Sequence, residues 1–428
     1  MASKSFSSND SAPLPLKYVP IEDVERLEKY QPGGYHPIMI DDVLQSRYRV
    51  AHKLGYGTYS TTWLCRDCQT NKYVAVKVGT AESNSLEADV LDYLNHFPLA
   101  HPGRAMIPSV QDRFVLHGPN GNHPCYVTAV AMCSVSGAKD ASYKRIFQAR
   151  TARSLIAQLV LAVEHIHNLH TGNVLLRLPA DLDQLSIKQL YERYGSPAPE
   201  PVTRFDGQPL ESSIPFSVVP PICLGKACED FTPSECNILL SDFGEAYRPL
   251  TEHRSSSQAP FSFVPPEARF EPEQGLSFPA DIWSLACSIW IILGQRPLFE
   301  DILATPDDIT AGQVDTLGNL PTRWWKIWEA RHEYFDESGT PNQGRQVRSW
   351  DDRFETHIQL PRQKAGISGF DAEEKVAVMN MLRSMLSFEP EKRLTAQDIL
   401  KCEWMEKWVL PDFKKSRFGD HGGCEKFS

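Results

Sequence analysis

Short alternating runs open the ordered part of the chain. Tyr48-Arg-Val50, Thr62-Trp-Leu64 and Tyr73-Val-Ala-Val-Lys-Val78 flank a glycine turn and predict a twisted antiparallel meander. From Ser85 to Leu94 the period changes, with Leu86, Val90, Leu91 and Leu94 at helical spacing. Cys125-Tyr-Val-Thr-Ala-Val-Ala131 is a further β-rich run, and a connection between two lobes is expected near Thr128 to Ala131. Beyond it, Leu155, Ile156, Leu159, Val160, Val163 and Ile166 form one helical face, which reads as core. Further helices are expected at Ala280–Leu293, Pro321–Glu333, Ala372–Leu386 and Thr395–Trp408. The pattern is that of an α+β protein with two lobes, a small β-rich one followed by a larger helical one.

The expected boundaries follow. Residues 1–29 are a flexible Ser- and Pro-containing tail, 30–130 the first lobe, 131–410 the second, and 411–428 a C-terminal tail. Within the second lobe lies a Pro-rich insertion over 178–238, including Gly195-Ser-Pro-Ala-Pro-Glu-Pro201 and Val218-Val-Pro-Pro221. Loops of such length are functional or disordered more often than not. A further insert is expected over 300–345.

Composition narrows the picture only a little. No apolar run approaches the roughly 18 residues that a membrane helix needs. The formal net charge of -10 argues weakly against nucleic acid as a direct ligand and weakly for a basic partner, the preferred reading being that many cytosolic proteins are mildly acidic. Ten cysteines without framework spacing suit a reducing compartment. Cys65-Arg-Asp-Cys68 has no second pair at zinc-site distance, so it reads as two strand or turn cysteines.

Five motifs carry chemistry, in this order: Leu54-Gly-Tyr-Gly-Thr-Tyr-Ser60, Val74-Ala-Val-Lys77, Leu169-His-Thr-Gly-Asn173, Ser241-Asp-Phe-Gly244 and Val264-Pro-Pro-Glu267. Gly55 and Gly57 permit close backbone approach to a triphosphate, with Ser60 where a third glycine is usual. A glycine turn alone is a weak signal, but a turn followed by Val-Ala-Val-Lys one strand later is strong. Asp-Phe-Gly is likewise common alone and specific in this order. The set resembles the protein kinases.

That resemblance implies roles residue by residue. Lys77 would hold the α- and β-phosphates of ATP, with Glu87 as its partner in preference to Glu82. Leu54, Gly55, Tyr56, Gly57, Thr58, Ser60, Thr62, Ala75, Thr128 and Val130 would line the ATP site. Asn173 and Asp242 would be the Mg²⁺ ligands. Glu267 and Arg393 are expected as a structural pair, and Asp281 as an acid bracing the catalytic loop.

Tyr30-Gln-Pro-Gly-Gly-Tyr-His-Pro37, Arg47-Tyr48 and Lys53-Leu-Gly-Tyr-Gly-Thr-Tyr-Ser-Thr-Thr-Trp63 more closely resemble the SR-protein kinases, fungal members in particular. The insertion is similar to the spacer of that family, and Asp315-Thr-Leu-Gly-Asn-Leu-Pro-Thr-Arg-Trp324 to the insert of the wider cyclin-dependent and MAP-kinase group. The resemblance implies ATP-dependent phosphorylation of serines in basic, Arg-Ser-rich proteins such as splicing factors. A monomer, cytoplasmic and nuclear, without direct nucleic-acid or membrane binding, is expected. Asp307, Asp308, Glu333, Asp336 and Glu337 are candidates for docking a basic substrate; ordinary solvated acids are the competing reading.

One landmark is missing. Kinases place the catalytic aspartate five residues before the metal-binding asparagine. Here that position holds Asn168, an amide that takes no proton at neutral pH. A short strand, a histidine and the aspartate are absent as a block between Glu164-His-Ile-His167 and Leu169. His170 is the nearby titratable alternative. Three readings follow: a kinase read from a gene model with a short loss, a nucleotide-binding pseudokinase scaffold, or a small-molecule phosphotransferase. Pro265-Pro-Glu267, Asp281 and Arg393 argue against the third.

Overall fold

The computed structural model describes residues 16–84, 86–96, 101–165, 173–178, 180–246, 252–255, 259–300 and 302–418. The chain divides into two compact units. Unit 1 gathers the described parts of 1–89, 109–130 and 178–224; unit 2 gathers those of 90–108, 131–177 and 225–428.

Unit 1 is built on an antiparallel sheet. Its strands are β1 (Val43–Leu44), β2 (Tyr48–Gly57), β3 (Ser60–Asp67), β4 (Lys72–Gly79), β5 (Asp112–Gly118) and β6 (Gly121–Ala129), in the order β1-β2-β3-β4-β6-β5. Side chains alternate across a strand. On β4 this sends Val74, Val76 and Val78 into the core with Val50, Trp63, Cys65, Cys125 and Val127. Lys77 therefore stands on the other face, opposite Thr62 of β3 and Tyr126 of β6. The helix α1 (Leu86–His96) follows β4.

The insertion does not join the helical lobe as expected. Residues 178–224 belong to unit 1. Val219 enters the core of the sheet. The Ile222 amide donates to Lys53 O at 2.8 Å, the Tyr191 hydroxyl to Ala51 O at 2.7 Å, and the Tyr73 amide to Asp183 Oδ1 at 2.8 Å. The insertion contains the short antiparallel pair β9 (Glu200–Pro201) and β10 (Ser217–Val218), and the helix α4 (Ile187–Tyr194). A Ser186–Gln189 capping box starts that helix.

The tail expected over 1–29 is corrected in the same way for residues 16–29, while 1–15 lie outside the described residues. Tyr18, Leu27, Tyr30 and Tyr35 are buried against Val202, Ile214 and Val218 of the insertion. Each segment is too short to bury its own apolar residues, and together they form a second small core.

Unit 2 carries a three-stranded sheet, β11-β8-β7, from β7 (Ala131–Ser134), β8 (Val174–Arg177) and β11 (Ile238–Leu240). Its helices before the insertion are α2 (Val135–Asp140) and α3 (Ala149–His165). After β11 come α5 (Glu267–Phe270), α6 (Phe278–Leu293), α7 (Pro306–Leu317), α8 (Thr322–Ile327) and α9 (Arg331–Tyr334). The remainder are α10 (Trp350–Phe354), α11 (Leu360–Lys364), α12 (Ala372–Met385), α13 (Ala396–Leu400) and α14 (Leu410–Phe418).

The helix expected over Pro321–Glu333 is broken in two. Trp328 leaves helical geometry there (ψ 94°), its ring buried and its indole N–H donating to Asp307 Oδ1 at 2.6 Å. The stretch Thr395–Trp408 divides into α13 and a π-helical turn over Met405–Val409 that runs on into α14. Residues 411–418, expected as tail, lie in that last helix, where Asp412 accepts from Arg153 at 2.7 Å. No helix among the described residues is long and apolar enough to cross a membrane.

Candidate active site

In unit 1, Leu54, Gly55, Tyr56 and Gly57 end β2, Thr58 and Tyr59 make the turn, and Ser60 and Thr62 begin β3. Gly57 pairs with Ser60 and Gly55 with Thr62. A Cβ built on Gly55 or Gly57 would meet no protein atom within 4 Å. Neither has the left-handed backbone that would itself require glycine. The open space is therefore room for something outside the chain, and a phosphate approached by backbone amides fits it.

Lys77 Nζ lies 2.6 Å from Glu87 Oε2, in the first turn of α1. The lysine is 24 % and the glutamate 14 % exposed, so the pair is open enough to reach a ligand. Ala75 sits opposite Thr128 on the same sheet, and Val130 is buried just beyond β6. The competitor Glu82 lies before α1, against Gly33.

In unit 2, β8 and β11 pair antiparallel, with Leu240 opposite Val174. This pairing sets Asn173, just before β8, beside the residues just after β11. The Ser241 amide donates to Asn173 O at 2.8 Å, and its hydroxyl to the same oxygen at 3.1 Å. Asp242 follows in the left-handed region (φ 63°, ψ 62°), rare for a non-glycine residue. Phe243 is buried and Asp242 exposed. A buried neighbour holding a strained, solvent-facing carboxylate is an arrangement worth its cost only where that carboxylate has work. Asn and Asp oxygens suit a hard divalent cation that completes its shell with phosphate oxygens and water. Among the described residues no group of three or more His, Cys, Asp or Glu is placed to hold a metal by itself.

Asn168 and His170 lie outside the described residues.

Glu267 and Arg393 come together as a buried fork, Nη1 to Oε1 at 2.7 Å and Nη2 to Oε2 at 2.6 Å. Arg393 also donates to Ser387 O and Pro279 O. Asp281 lies in the first turn of α6.

The five acids proposed for docking fare unequally. Asp307 Oδ1 accepts from Arg269 at 2.5 Å and from Trp328. Asp308 closes the capping box of α7 with Thr305, whose hydroxyl bond holds the carboxyl below its usual range. Asp336 accepts from the Ser338 hydroxyl and from the Ser338 and Thr340 amides. These three are committed to local structure. Glu333 and Glu337 remain exposed, the latter 3.6 Å from His332.

Tyr35 carried no role in the sequence reading. Its buried hydroxyl donates to Gly57 O at 2.6 Å, on the glycine turn itself. The signal was the adjacent glycine pair, which marks a close backbone approach.

Comparison with known proteins agrees with this geometry. The family profile described as Protein kinase domain matches residues 231–405. With the β-rich first unit and helical second unit, the chain has the two-lobed protein kinase fold. It is 26% identical over 400 residues to a serine/threonine protein kinase of Aspergillus fumigatus, covering 90% of this chain and 91% of that one. The serine/threonine-protein kinase SRPK of Physarum polycephalum is 25% identical over 89% of this chain and 91% of its own. Human SRSF protein kinase 3 is 39% identical over a shorter stretch, 26% of this chain and 20% of its own. The chain is a serine/threonine protein kinase, similar to kinases of the SR-protein kinase type. Protein kinase domains use ATP and a divalent metal ion.

Proposed function

We propose that this protein phosphorylates serines of basic, Arg-Ser-rich proteins, using ATP with Mg²⁺. The observation that carries the nucleotide part is the Lys77–Glu87 pair at 2.6 Å beside an open glycine turn. Bound Mg·ATP would supply the transferable phosphoryl group and the divalent charge that neutralises it. The chain's own residues would do the rest. Lys77 would hold phosphate oxygens, Glu87 would hold Lys77, the Gly55–Gly57 backbone would admit the triphosphate, and Asn173 and Asp242 would offer oxygens to the metal.

The substrate class is supported by the SR-kinase-type relatives and by the formal charge of -10, which favours a basic partner. Glu333 and Glu337 are the exposed acids left for docking such a partner. We place the protein, as a monomer, in cytoplasm and nucleus, without direct nucleic-acid binding.

The chain as written is impaired in transfer, because Asn168 stands where the proton acceptor belongs. The missing acceptor equally supports a second reading, a nucleotide-binding scaffold. A peptide panel on a chain with its catalytic loop repaired tests the substrate class. Arg-Ser repeats should be phosphorylated well ahead of acidic and proline-directed peptides; equal rates on Arg-Ser and casein-like acidic peptides would refute it.

A further inference from the structure

The motif Tyr30-Gln-Pro-Gly-Gly-Tyr35 precedes the sheet, yet it touches both the glycine turn and the approach to α1 in unit 1. Tyr35 donates to Gly57 O at 2.6 Å and has Thr58 O at 3.3 Å; Lys29 Nζ reaches Thr58 O at 3.4 Å. The next carbonyl, Tyr59 O, accepts from the Thr80 amide at 2.9 Å. All three carbonyls at the tip of the turn are thus engaged, two by residues 29–35 and one by Thr80. Among the described residues the Thr58 and Tyr59 amides have no backbone acceptor, and they are the groups an anion needs.

The same segment grips the approach to α1. The Ala81 amide donates to Gly34 O at 3.0 Å and the Glu82 amide to Gly33 O at 2.9 Å. Neither glycine is replaceable here. A Cβ on Gly34 would fall 1.8 Å from Lys29 O, and Gly33 has φ +88° with Glu82 packed against it. The grip is itself anchored: the Gly33 amide donates to Asn120 O, and Asn120 Nδ2 donates to Tyr35 O at 2.7 Å and to Ser213 O of the insertion at 2.9 Å.

We propose that residues 29–35 form a latch that fixes the glycine turn and the approach to α1 in one register, with Tyr35 as a positioning residue for the phosphates of ATP. The inference rests on the nucleotide-binding reading above. The hydroxyl turns carbonyl oxygens away from the space the phosphates enter, and the backbone ladder to residues 81–82 ties that turn to the helix bearing Glu87.

Tyr35→Phe keeps the ring, its packing on Tyr30 (centroids 5.5 Å apart) and its burial, and removes only the hydrogen bond. Calorimetric titration of the full chain with Mg·ATP and with adenosine tests it. The expected result is an affinity for Mg·ATP weakened about three- to tenfold, the worth of one hydrogen bond. Affinity for adenosine, which has no phosphate, should be unchanged, and the melting temperature of the free protein should fall only slightly, by the loss of that one hydrogen bond. Equal loss for both ligands, or none for either, would overturn the latch while leaving nucleotide binding intact. A wild-type chain that binds no Mg·ATP would overturn the nucleotide reading, and the latch with it. Hydrogen exchange of the wild type tests the same idea without a variant. Mg·ATP, but not adenosine, should slow exchange in 29–35 together with 56–60, and protection confined to 56–60 would count against the latch.

Discussion

Lys53 Nζ lies 2.5 Å from Glu25 Oε2, with the two side chains 1 % and 0 % exposed. The other Glu25 oxygen accepts from the Tyr30 hydroxyl, and the ammonium sits 5.1 Å from the centre of the Trp63 ring. Burial pulls the Lys53 pKa down while Glu25 pulls it back up. Removing one partner would strand a charge in the core, at a cost of about 3–5 kcal/mol, whereas removing both can be close to neutral. Lys53→Met should therefore lower the stability of unit 1 by that order. Lys53→Met with Glu25→Leu should regain most of it, less the acceptor that Tyr30 loses. Denaturant melts of the three proteins check this, and additive losses would refute it.

Arg393 and Glu267 make the corresponding fork in unit 2. The guanidinium also stacks on Trp283, 5.0 Å from the ring centre, and serves three backbone carbonyls. Lysine has neither the planar fork nor enough directed donors to replace it. Arg393→Lys should thus destabilise nearly as much as Arg393→Ala, on the order of 3 kcal/mol. Recovery to wild-type stability by lysine would show that charge alone matters there.

Much of this was legible because the informative residues sit in local patterns. Lys77 was readable as a lysine facing away from a valine stripe, since alternation on β4 leaves it no other face. The Glu87 choice rested on helical spacing, and the structure sets that residue beside Lys77. The destinations of residues 16–29 and 178–224 were not readable. The helical period over Ile187–Tyr194 does not say where its segment packs, and the contacts of both segments are with each other and with the sheet, far away in sequence. Other signals were present and passed over. Thr305-Pro-Asp-Asp308 has the spacing of a capping box, which assigns Asp308 to α7 before any substrate is considered. Trp328 broke a helix that periodicity alone would continue, because burying an indole with its N–H satisfied outweighed a turn of helix.

Acid should destabilise the fold through buried neutral histidines. His357 is fully buried, and both its ring nitrogens lack a hydrogen-bond partner. Burial holds its pKa down at about 4, against an ordinary 6.5. His36, packed 4.7 Å from the His123 ring, is lowered to about 4 for the same reason. Below pH 6.5 the unfolded chain takes up these protons and the folded one does not. Stability is therefore full above 6.5 and falls as pH drops toward 4, by about 1.4 kcal/mol per pH unit for each such histidine. Urea midpoints at pH 7.5, 6 and 5 should decline in that order, and His357→Leu should flatten the decline. An unchanged slope in that variant would exclude His357 as a source.

The missing base predicts how the chain behaves as a catalyst. The described part of α3 reaches His165 and β8 begins at Val174, so the loop segment ahead of Asn173 falls on residues 166–172. They contain Asn168 and His170 but no carboxylate. Losing a positioned general base costs ~10²–10⁴ in rate. A loop shortened by a strand would also displace Asn173, and ~1 Å of displacement can cost a further ~10². Asn168→Asp should thus recover little, because it restores the acid without the path that positions it. Inserting a family-like segment ending in His-Gly-Asp between Asn168 and Leu169 should restore transfer. Radiolabelled phosphate incorporation into an Arg-Ser peptide compares these two variants with the chain as written. Robust transfer by the unrepaired chain, abolished by His170→Ala, would overturn this account and make the histidine the base.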